Sequence, residues 1–429
     1  MSAPDPTRLP RLLSGCTFSE PLGLVQHEGI HGRLPLRSGA RGHEHPLISE
    51  LERAGLYGHG GASFPTASKL RTVAAQRARP VVVVNATEGE PLSDKDRLLM
   101  GYLPHLVLDG AVSAALAVGA REITVALDTA ATDLARTVER AISERPEIGP
   151  RGLSATTALV ADGYLSGQDT ALLSALSGGS GKPTTTPPYP AQRGLRGKPT
   201  FVANAETLAQ VGLIARYGAG WFRELGSSRD PGSRLVTITG AVARPGVIEI
   251  ACGTPLPMLL KAAGGVSGAA QGILLGGYGG VWVGAGAGEL KLGEYSLRKR
   301  HATLGPGVVL VLGDDVCAVA EVTRATRWLA AESAGQCGPC IHGLGAIAAA
   351  LTELCSDGDR SGAYGRLERW CKLITGRGAC ALPDGAARFV TSALRTFAGQ
   401  FEDHAQYGRC DLCATSLSLP TNHRERVPA

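Results

Sequence analysis

The spacing of hydrophobic positions divides the first half of the chain into alternating helices and strands. Leu47–Leu56 has helical spacing, and Pro80–Asn85 is an apolar run with the length of a buried strand. The alternation continues with helices at about 98–119 and 130–143, and with strands at Glu122–Leu127 and Ala155–Val160. Strands that alternate with helices predict an α/β layer with a mostly parallel sheet.

A different pattern begins near Arg234. Short β-branched runs at 235–240 and 246–250, and strand signals near 273–283 and 307–312, predict a small β-rich module, and from about Val316 to His404 the pattern becomes helical. We therefore predict five segments, which are an irregular lead-in at 1–45, an α/β domain at 46–228, a β-rich domain at 229–315, a helical domain at 316–413 and a disordered tail at 414–429.

Composition narrows the class of protein. The chain has 429 residues, of which 44% are hydrophobic and 19% charged, as in a folded globular protein. A net charge of +5 without a Lys/Arg block argues against nucleic-acid binding. No apolar run reaches the length of a membrane span and the N-terminus lacks a signal-peptide pattern, so we expect a cytoplasmic protein without direct membrane insertion.

Four polar or glycine-rich loops follow strand or helix signals in the predicted α/β domain. In an open α/β sheet, ligand groups lie at the carboxyl ends of the strands, and glycines let backbone N–H groups approach a phosphate. Lys69 adds a positive charge after the first loop. Each loop alone also fits an ordinary solvated turn, so the residues by themselves leave both interpretations open. The loops are 58–66, 85–91, 162–170 and 197–208.

The ten cysteines point to metal chemistry. In a chain expected to be cytoplasmic, cysteines are metal ligands or core residues more often than disulfides. The C-x2-C pairs Cys337/Cys340 and Cys410/Cys413, with Cys380 between them, suit an iron–sulfur cluster or zinc. Zinc is disfavoured because about seventy residues separate the pairs. Four cysteines stand singly and are expected to be small buried hydrophobes: Cys252, Cys317, Cys355 and Cys371.

Taken in order, these segments resemble the flavoprotein subunit of complex I and of NAD-linked hydrogenases and formate dehydrogenases. That family has GRGGAGFPTGxK, NADExEPGxxKDR, a GEET loop, GKPTVVNNVETL and ESCGxCxPCRxG. This chain has GHGGASFPTASK at 58–69, NATEGEPLSDKDR at 85–97, SGQDT at 166–170, GKPTFVANAETL at 197–208 and ESAGQCGPCIHG at 332–343. The resemblance covers roughly residues 47–405.

The resemblance implies an architecture and an activity. The α/β domain would be a Rossmann-like FMN-binding domain, the β-rich domain an SLBB β-grasp domain, and the helical domain a bundle that carries a [4Fe–4S] cluster. NADH or NADPH would pass a hydride to FMN, and single electrons would leave through the cluster to a ferredoxin-like or other redox subunit.

The resemblance also implies site residues. Phe64 would stack on the adenine of NAD(P)H, and Glu88 and Glu90, near the nicotinamide, are the expected catalytic residues. The positions that match the family's FMN-binding motifs are Gly58, Gly60, Gly61, Lys69, Asn85, Tyr164, Gly167, Asn204 and Thr207.

The chain departs from the family at the cluster. The family's first cluster cysteine falls on Ala334, which leaves Cys337, Cys340 and Cys380. Three thiolates could hold a [3Fe–4S] cluster, or a [4Fe–4S] cluster completed by another ligand. We expect Cys410 to supply that ligand, with Cys413 as the alternative.

The nucleotide pocket also departs from the family pattern. Thr87 stands where the family has an aspartate, and Ala203 where it has an asparagine. The family's GEET pair has become Gln168-Asp169, and its lysine and phenylalanine of KPPFP fall on Thr186 and Tyr189. Three functions are therefore open. The first is NAD(P)H oxidation through FMN and the cluster. The second is an electron relay that has lost NADH binding. The third is a non-redox SLBB binding module with a structural metal site.

Overall fold

The computed structural model describes residues 8–36, 45–149, 152–288, 290–414 and 419. They form two compact units. The first contains the described residues up to Gly89, with Asp94–Leu235 and Glu249–Gly253, and the second contains Glu90–Ser93, Val236–Ile248 and the described residues from Thr254 onward.

The first unit is built on a four-stranded sheet in which every pair of neighbouring strands is parallel. The strands lie in the order β3-β2-β1-β4, and every residue of β1 is buried, as a continuous valine run predicts for a strand covered on both faces. The predicted parallel α/β layer is confirmed. The strands are β1 Val81–Asn85, β2 Glu122–Asp128, β3 Ser154–Val160 and β4 Thr200–Asn204.

Eight α-helices accompany this sheet in the described part of the chain. They are α1 Leu24–His31, α2 Pro46–Ala54, α3 Thr66–Ala74, α4 Lys95–Tyr102, α5 Pro104–Val118, α6 Thr132–Ser143, α7 Asp169–Leu176 and α8 Ala205–Arg223. A 3-10 turn spans Leu195–Gly197. Helix α1 lies in the segment expected to be irregular.

The single helix predicted at about 98–119 is two helices. Leu103 leaves the helical region with φ −129° and ψ 43°, and α5 begins at the next residue, Pro104. A proline disfavours helical backbone at the residue before it, which accounts for a break at this position. Within the described ranges no single helix is long and apolar enough to cross a membrane, and the bent pair α4 and α5 meets that test only jointly, by length and composition.

Helices α5 and α8 touch through glycine. A Cβ on Gly110 would lie 1.8 Å from the carbonyl oxygen of Leu208, and one on Gly212 would lie 3.1 Å from that of Leu106. Close backbone contact fixes α8 against α5, which itself packs on β1. Because α8 begins at Ala205, directly after β4, this contact also fixes the carboxyl end of β4.

The strand order creates a switch point beside β1. From β1 the sheet grows through β2 to β3 on one side, and β4 returns to the other side of β1. In open parallel sheets, ligands bind in the crevice outside the carboxyl ends of the strands where the order reverses. The fold therefore predicts a ligand site at the carboxyl ends of β1 and β4, at Asn85 and Asn204.

A second sheet has five strands in the order β6-β5-β11-β8-β9. Strands β5 and β11 are parallel, and β11–β8 and β8–β9 are antiparallel. The predicted β-rich module is confirmed. The strands are β5 Ser233–Gly240, β6 Gly246–Ala251, β7 Thr254–Pro255, β8 Ala270–Leu275, β9 Val281–Gly284, β10 Lys291–Leu292 and β11 Val308–Gly313, with β7 and β10 pairing separately. A 3-10 turn at Gly277–Gly279 and the short helices α9 Leu256–Ala262 and α10 Glu294–Arg298 complete this part.

The C-terminal part is helical, as predicted. Helices α11 to α14 pack together around buried side chains that include Leu329, Leu351, Leu367 and Phe389. The elements are α11 Ala318–Ala331, a π-helix at Pro339–Leu344, α12 Gly345–Leu354, α13 Ala363–Ile374, α14 Leu382–Thr396, α15 Ala398–Tyr407 and a 3-10 turn at Asp411–Ala414. The predicted disordered tail lies outside the described residues, except for positions 414 and 419. The other domain boundaries stay predictions.

Candidate functional site

A cleft opens at the switch point between β1 and β4. Its empty volume is about 540 Å³ and it is open to solvent. Each of the four loops singled out from the sequence contributes to its wall. The 85–91 loop contributes only its first residue, Asn85. The lining residues are Gly58, Gly60, Ala62, Ser63, Phe64, Thr66, Lys69, Asn85, Gly167, Asp169, Phe201, Val202, Ala203, Asn204 and Thr207.

The loop before α3 borders this cleft and carries unpaired backbone donors. A hydrogen bond from Gly58 N to Phe64 O, 2.9 Å long, closes the loop. Gly61 and Ser63 have φ of 111° and 46°. Across the described ranges, the N–H groups from Gly60 through Phe64 have no hydrogen-bond partner. Consecutive N–H donors at alternating backbone conformations form an anion-binding concavity, and the uncapped start of α3 adds to it.

Lys69 extends this anion site but shares its charge. Its Nζ lies 2.8 Å from Asp169 Oδ2, and both residues line the cleft. An anion bound to the loop would therefore compete with the Asp169 carboxylate for the ammonium group. Sequence reasoning noted Asp169 only as a departure from the family pattern.

Asn85 is held by its neighbours at the end of β1. Its Nδ2 donates to Gly167 O over 2.7 Å, and its Oδ1 accepts from Thr87 Oγ1 over 2.7 Å. Thr87 stands where the family has an aspartate. The hydroxyl thus anchors Asn85, and it leaves the cleft without the charge of that aspartate.

Asn204, at the end of β4, belongs to a buried network of charges that sequence reasoning missed. Its Oδ1 accepts from Lys95 Nζ over 2.9 Å, and its Nδ2 donates to Asp96 Oδ2 over 2.5 Å. Lys95 is fully buried and also lies 3.0 Å from Glu206 Oε2. The signal that could have found it is the KDR sequence at 95–97, which the family shares.

His59 links the network to the anion-binding loop. Its Nδ1 lies 2.6 Å from Glu206 Oε1, and its backbone N donates to Thr207 Oγ1 over 2.9 Å. The loop that carries the unpaired N–H groups is therefore attached to the start of α8 through two contacts.

Burial and charge shift the pKa values in this network. Burial alone would lower the pKa of Lys95, but Asp96, Glu206 and Glu88 raise it above its usual value. Burial would raise the pKa of Glu206, but His59 and Lys95 outweigh that effect and hold it well below its usual range. Burial raises the pKa of Asp96 to about 6 even though Lys95 opposes the rise. Lys95 and Glu206 are therefore a buried charged pair.

The two glutamates expected to be catalytic do not line this cleft. Glu88 accepts from the backbone N of Asp96 and of Arg97, at 3.1 and 2.9 Å. Glu90 groups with the second unit, where its carboxylate accepts from Tyr278 N over 2.9 Å. Both carboxylates stabilise backbone, and these contacts give no support to a catalytic role, which stays a prediction.

Gly61 and Tyr164 also lie off the lining of the cleft. Gly61 belongs to the anion-binding loop. The Tyr164 carbonyl oxygen would lie 2.9 Å from a Cβ on Gly89, so its backbone packs closely against that residue. The other eight predicted cofactor-binding residues line the cleft.

Three of the predicted metal ligands lie together in the helical part. Cys340 lies in the π-helix, and a hydrogen bond from its backbone N to Cys337 O, 3.0 Å long, connects it to Cys337. Burial, together with Cys337 and Cys380, raises the pKa of Cys340 to about 11, although a hydrogen bond with Ser333 opposes the rise. These three thiols form the first cysteine group, and Ala334 offers no fourth thiol.

Cys410, expected as the fourth cluster ligand, lies beside other partners, which gives that expectation no support. Its Sγ is 3.6 Å from Cys413 Sγ, in a second group with Cys317 and His404. Cys317, expected to be a small buried hydrophobe, is buried, and it also lies against His404 and Cys413. Its partners are 87 or more residues away, so no local spacing could reveal them.

Family models match most of the described fold. Residues 51–213 match the Nuo51 FMN-binding domain, 235–277 the SLBB domain, and 320–404 the NADH-ubiquinone oxidoreductase-F iron-sulfur binding region. The second F subunit of NADH-quinone oxidoreductase from Rhizobium meliloti (strain 1021) is 34% identical over 377 residues, which are 85% of this chain and 90% of that protein. This chain belongs to the family of NADH-quinone oxidoreductase F subunits.

Further comparisons agree with this family. The corresponding F subunit of Streptomyces coelicolor is 32% identical over 398 residues, covering 88% of this chain and 86% of the relative. Among solved structures, an NAD+-reducing [NiFe]-hydrogenase in the H2-reduced state superposes with a TM-score of 0.81 and 28% identity, covering 95% of this chain and 68% of that one. The family that the motifs indicated, its order of domains and its type of redox chemistry are thereby confirmed.

Proposed function

We propose that this chain oxidises NAD(P)H through FMN bound in the cleft, and passes single electrons through an iron–sulfur cluster to a partner subunit. The observation that carries the proposal is the run of unpaired N–H groups from Gly60 to Phe64. They stand at the switch point of a domain that matches an FMN-binding family model.

The residues of the cleft fit a flavin nucleotide. The anion-binding loop and Lys69 would hold its phosphate, and the polar side chains of Asn85 and Asn204 would border its ring or its ribityl chain. Lys95 and Asp96 orient the Asn204 amide at the end of β4. When bound, FMN supplies the chemistry that accepts a hydride and releases electrons singly.

Phe64 is the residue we propose to contact the dinucleotide. Its side chain lines the cleft and is 54% exposed, although phenylalanine is usually buried. An exposed ring at the mouth of a nucleotide site offers an adenine a stacking surface worth about 0.5–1.5 kcal/mol.

The first cysteine group is the site we propose for the cluster. Cys337, Cys340 and Cys380 are thiols of one group within the region that matches the iron-sulfur model. With alanine at 334 and Cys410 in another group, the cluster would have three cysteine ligands. We infer either a [3Fe–4S] cluster or a [4Fe–4S] cluster whose fourth ligand is not a cysteine, and electron paramagnetic resonance of the oxidised protein distinguishes them.

The electron acceptor is proposed to be a ferredoxin-like or other redox subunit. The relatives are named as subunits of a quinone oxidoreductase, and the structural neighbour is a hydrogenase. A cluster in one chain requires a second redox centre to receive its electrons.

Two observations favour the relay that does not use NADH. Thr186 replaces a lysine of the family's pocket, and the Lys69 charge is already paired with Asp169. The missing lysine and the pairing of Lys69 both lower the positive charge available to a dinucleotide. Each charge-assisted contact contributes about 1.5–3 kcal/mol.

Flavin content tests the cleft directly. A Cβ at Gly60 would lie 3.2 Å from Asn204 Cβ, so Gly60→Val fills the crevice beside the loop and should weaken FMN binding about tenfold or more. Gly29→Val is the matched control, because Gly29 is exposed and nothing lies within 4 Å of its added Cβ. FMN affinities measured by fluorescence quenching should separate the two variants. Equal affinities would place the flavin elsewhere.

A further inference from the structure

We propose that Cys317, His404, Cys410 and Cys413 bind one Zn²⁺ in a structural Cys₃His site, separate from the iron–sulfur cluster. Their ligand atoms all lie within 4.8 Å of one another. Cys317 and His404 are buried and the other two are partly buried. No family model that matches this chain covers the three cysteines.

The spacing of the ligand atoms fits a single tetrahedral ion. The separations are 3.4 Å for Cys317 Sγ–His404 Nε2, 3.6 Å for Cys413 Sγ–Cys317 Sγ, 3.6 Å for Cys410 Sγ–Cys413 Sγ and 4.0 Å for Cys413 Sγ–His404 Nε2. A tetrahedral zinc with bonds of about 2.3 Å to sulfur and about 2.0–2.1 Å to nitrogen separates neighbouring ligands by about 3.5–3.8 Å.

The same spacing argues against a second iron–sulfur cluster here. The ligand sulfurs of a [4Fe–4S] cluster surround a cube of iron and sulfide, so they lie farther apart than ligands that share one ion. In this group the sulfur atoms lie too close together for a cube of iron and sulfide to fit between them. Three thiolates and one imidazole are also a ligand set that zinc favours in structural sites.

Two of the ligands, His404 and Cys317, each make a further hydrogen bond that favours binding of a cation. His404 Nδ1 lies 3.0 Å from Leu354 O, so it donates its proton there and leaves Nε2 with a free electron pair toward the thiols. A zinc-bound histidine usually makes this contact. Cys317 is the N-cap of α11, and its Sγ accepts from Ala320 N over 3.3 Å. This N–H donor and the positive end of the helix partly offset the burial that opposes a thiolate at that position.

Local backbone geometry delivers the other two ligands. Helix α15 ends at Tyr407, and Gly408, with φ of 82°, turns the chain back. A Cβ at Gly408 would lie 3.0 Å from Ser356 O, so glycine is required both by φ and by space. The bond from Cys413 N to Cys410 O, 3.1 Å long, then closes the C-x2-C turn.

Three of the four ligands lie outside the match to the iron-sulfur model. The match to the iron-sulfur model begins at 320 and ends at 404, so Cys317, Cys410 and Cys413 lie outside it. The zinc would join the start of α11 to the end of α15 and fasten the terminal turn to the bundle. Binding would convert the three thiols to thiolates and release their protons, and zinc itself would carry no electron.

Metal analysis of the full-length protein tests the proposal. Protein from zinc-supplemented cells should contain about one zinc per chain in addition to iron. Cys413→Ser and His404→Gln should each lower zinc at least tenfold and leave iron unchanged. Cys337→Ser should lower iron and leave zinc unchanged. Cys371→Ser is the matched control, because Cys371 is a buried thiol outside both groups.

Three results would overturn the assignment. They are wild-type protein free of zinc, full zinc in the Cys413→Ser variant, and iron in place of zinc at the same ligands. If the variants do not fold, refilling zinc-depleted wild-type protein with Co²⁺ provides a second readout. A tetrahedral Cys₃His site gives Co²⁺ strong visible absorption. If Cys410 and Cys413 form a disulfide instead, added Co²⁺ will not show that absorption. Loss of zinc with iron and flavin intact separates this proposal from the proposed redox function.

Discussion

Replacing Lys95 by methionine should destabilise the first unit far more than an ordinary lysine substitution does. Lys95 is fully buried, and its Nζ lies 2.9 Å from Asp96 Oδ1 and 3.0 Å from Glu206 Oε2. Methionine has nearly the same shape but no charge, so it would leave two carboxylates buried without their cation. Removing one partner of a buried ion pair costs about 3–5 kcal/mol.

The dependence of this cost on pH is a second signature. Burial already raises the pKa of Asp96 to about 6, and loss of Lys95 removes the charge that opposes the rise. A carboxyl group whose pKa is raised in the folded state contributes stability at low pH and loses it as pH rises through that pKa. The deficit of Lys95→Met should therefore be largest near pH 8 and shrink toward pH 5.5.

The control is Lys198→Met in the same unit. Lys198 Nζ lies 2.7 Å from Glu122 Oε1, but both side chains are 40% exposed. Such a pair contributes about 1 kcal/mol or less. Hydrogen exchange of the amides in β1 and β4 measures the local opening free energy in both variants. If Lys95→Met loses no more than Lys198→Met, the buried charge network does not stabilise the site as described.

Two further predictions concern the first unit. Gly110→Ala should lower the free energy of unfolding by at least about 1–3 kcal/mol, because its Cβ would lie 1.8 Å from Leu208 O. The control Gly220→Ala, whose Cβ would stand in open space on α8, should be neutral or stabilising. Equal urea midpoints for the two variants would contradict the close packing of α5 and α8. Burial lowers the pKa of His31 to about 3 and of His105 to about 4. Both histidines therefore contribute stability above about pH 6.5 that is lost as pH falls, by up to about 2 kcal/mol each between pH 7 and 5. A flat profile of unfolding free energy over that range, or an unchanged slope in His105→Gln, would refute this account.

Local sequence was sufficient for the elements of the α/β sheet. The valine run of β1 and the apolar run of β2 have no helical alternative of that length, and both strands form where predicted. The break before Pro104 was also readable, because proline restricts the residue before it. The strand order, and with it the switch point, depends on how distant segments pair, which no local pattern contains.

Tertiary contacts decided what the sequence could not show in the site. Lys95 stands in a polar run that reads as a solvated loop, and only the pairing of β1 with β4 brings Asn204 and Glu206 to it. Cys317 is alone in its stretch of sequence, and only the packing of α15 against α11 brings His404 to it. Conversely, the cysteine pair 410/413 was visible in the sequence, but its neighbours Cys317 and His404 were not.

The most direct test of the central claim is the response of the anaerobically purified protein to NADH. The visible spectrum should show flavin and iron–sulfur absorption, and adding NADH should bleach the flavin bands and then the cluster absorption. Cluster absorption that does not change with NADH or NADPH would contradict NAD(P)H oxidation and leave an electron relay. A colourless, iron-free protein would contradict the redox function altogether.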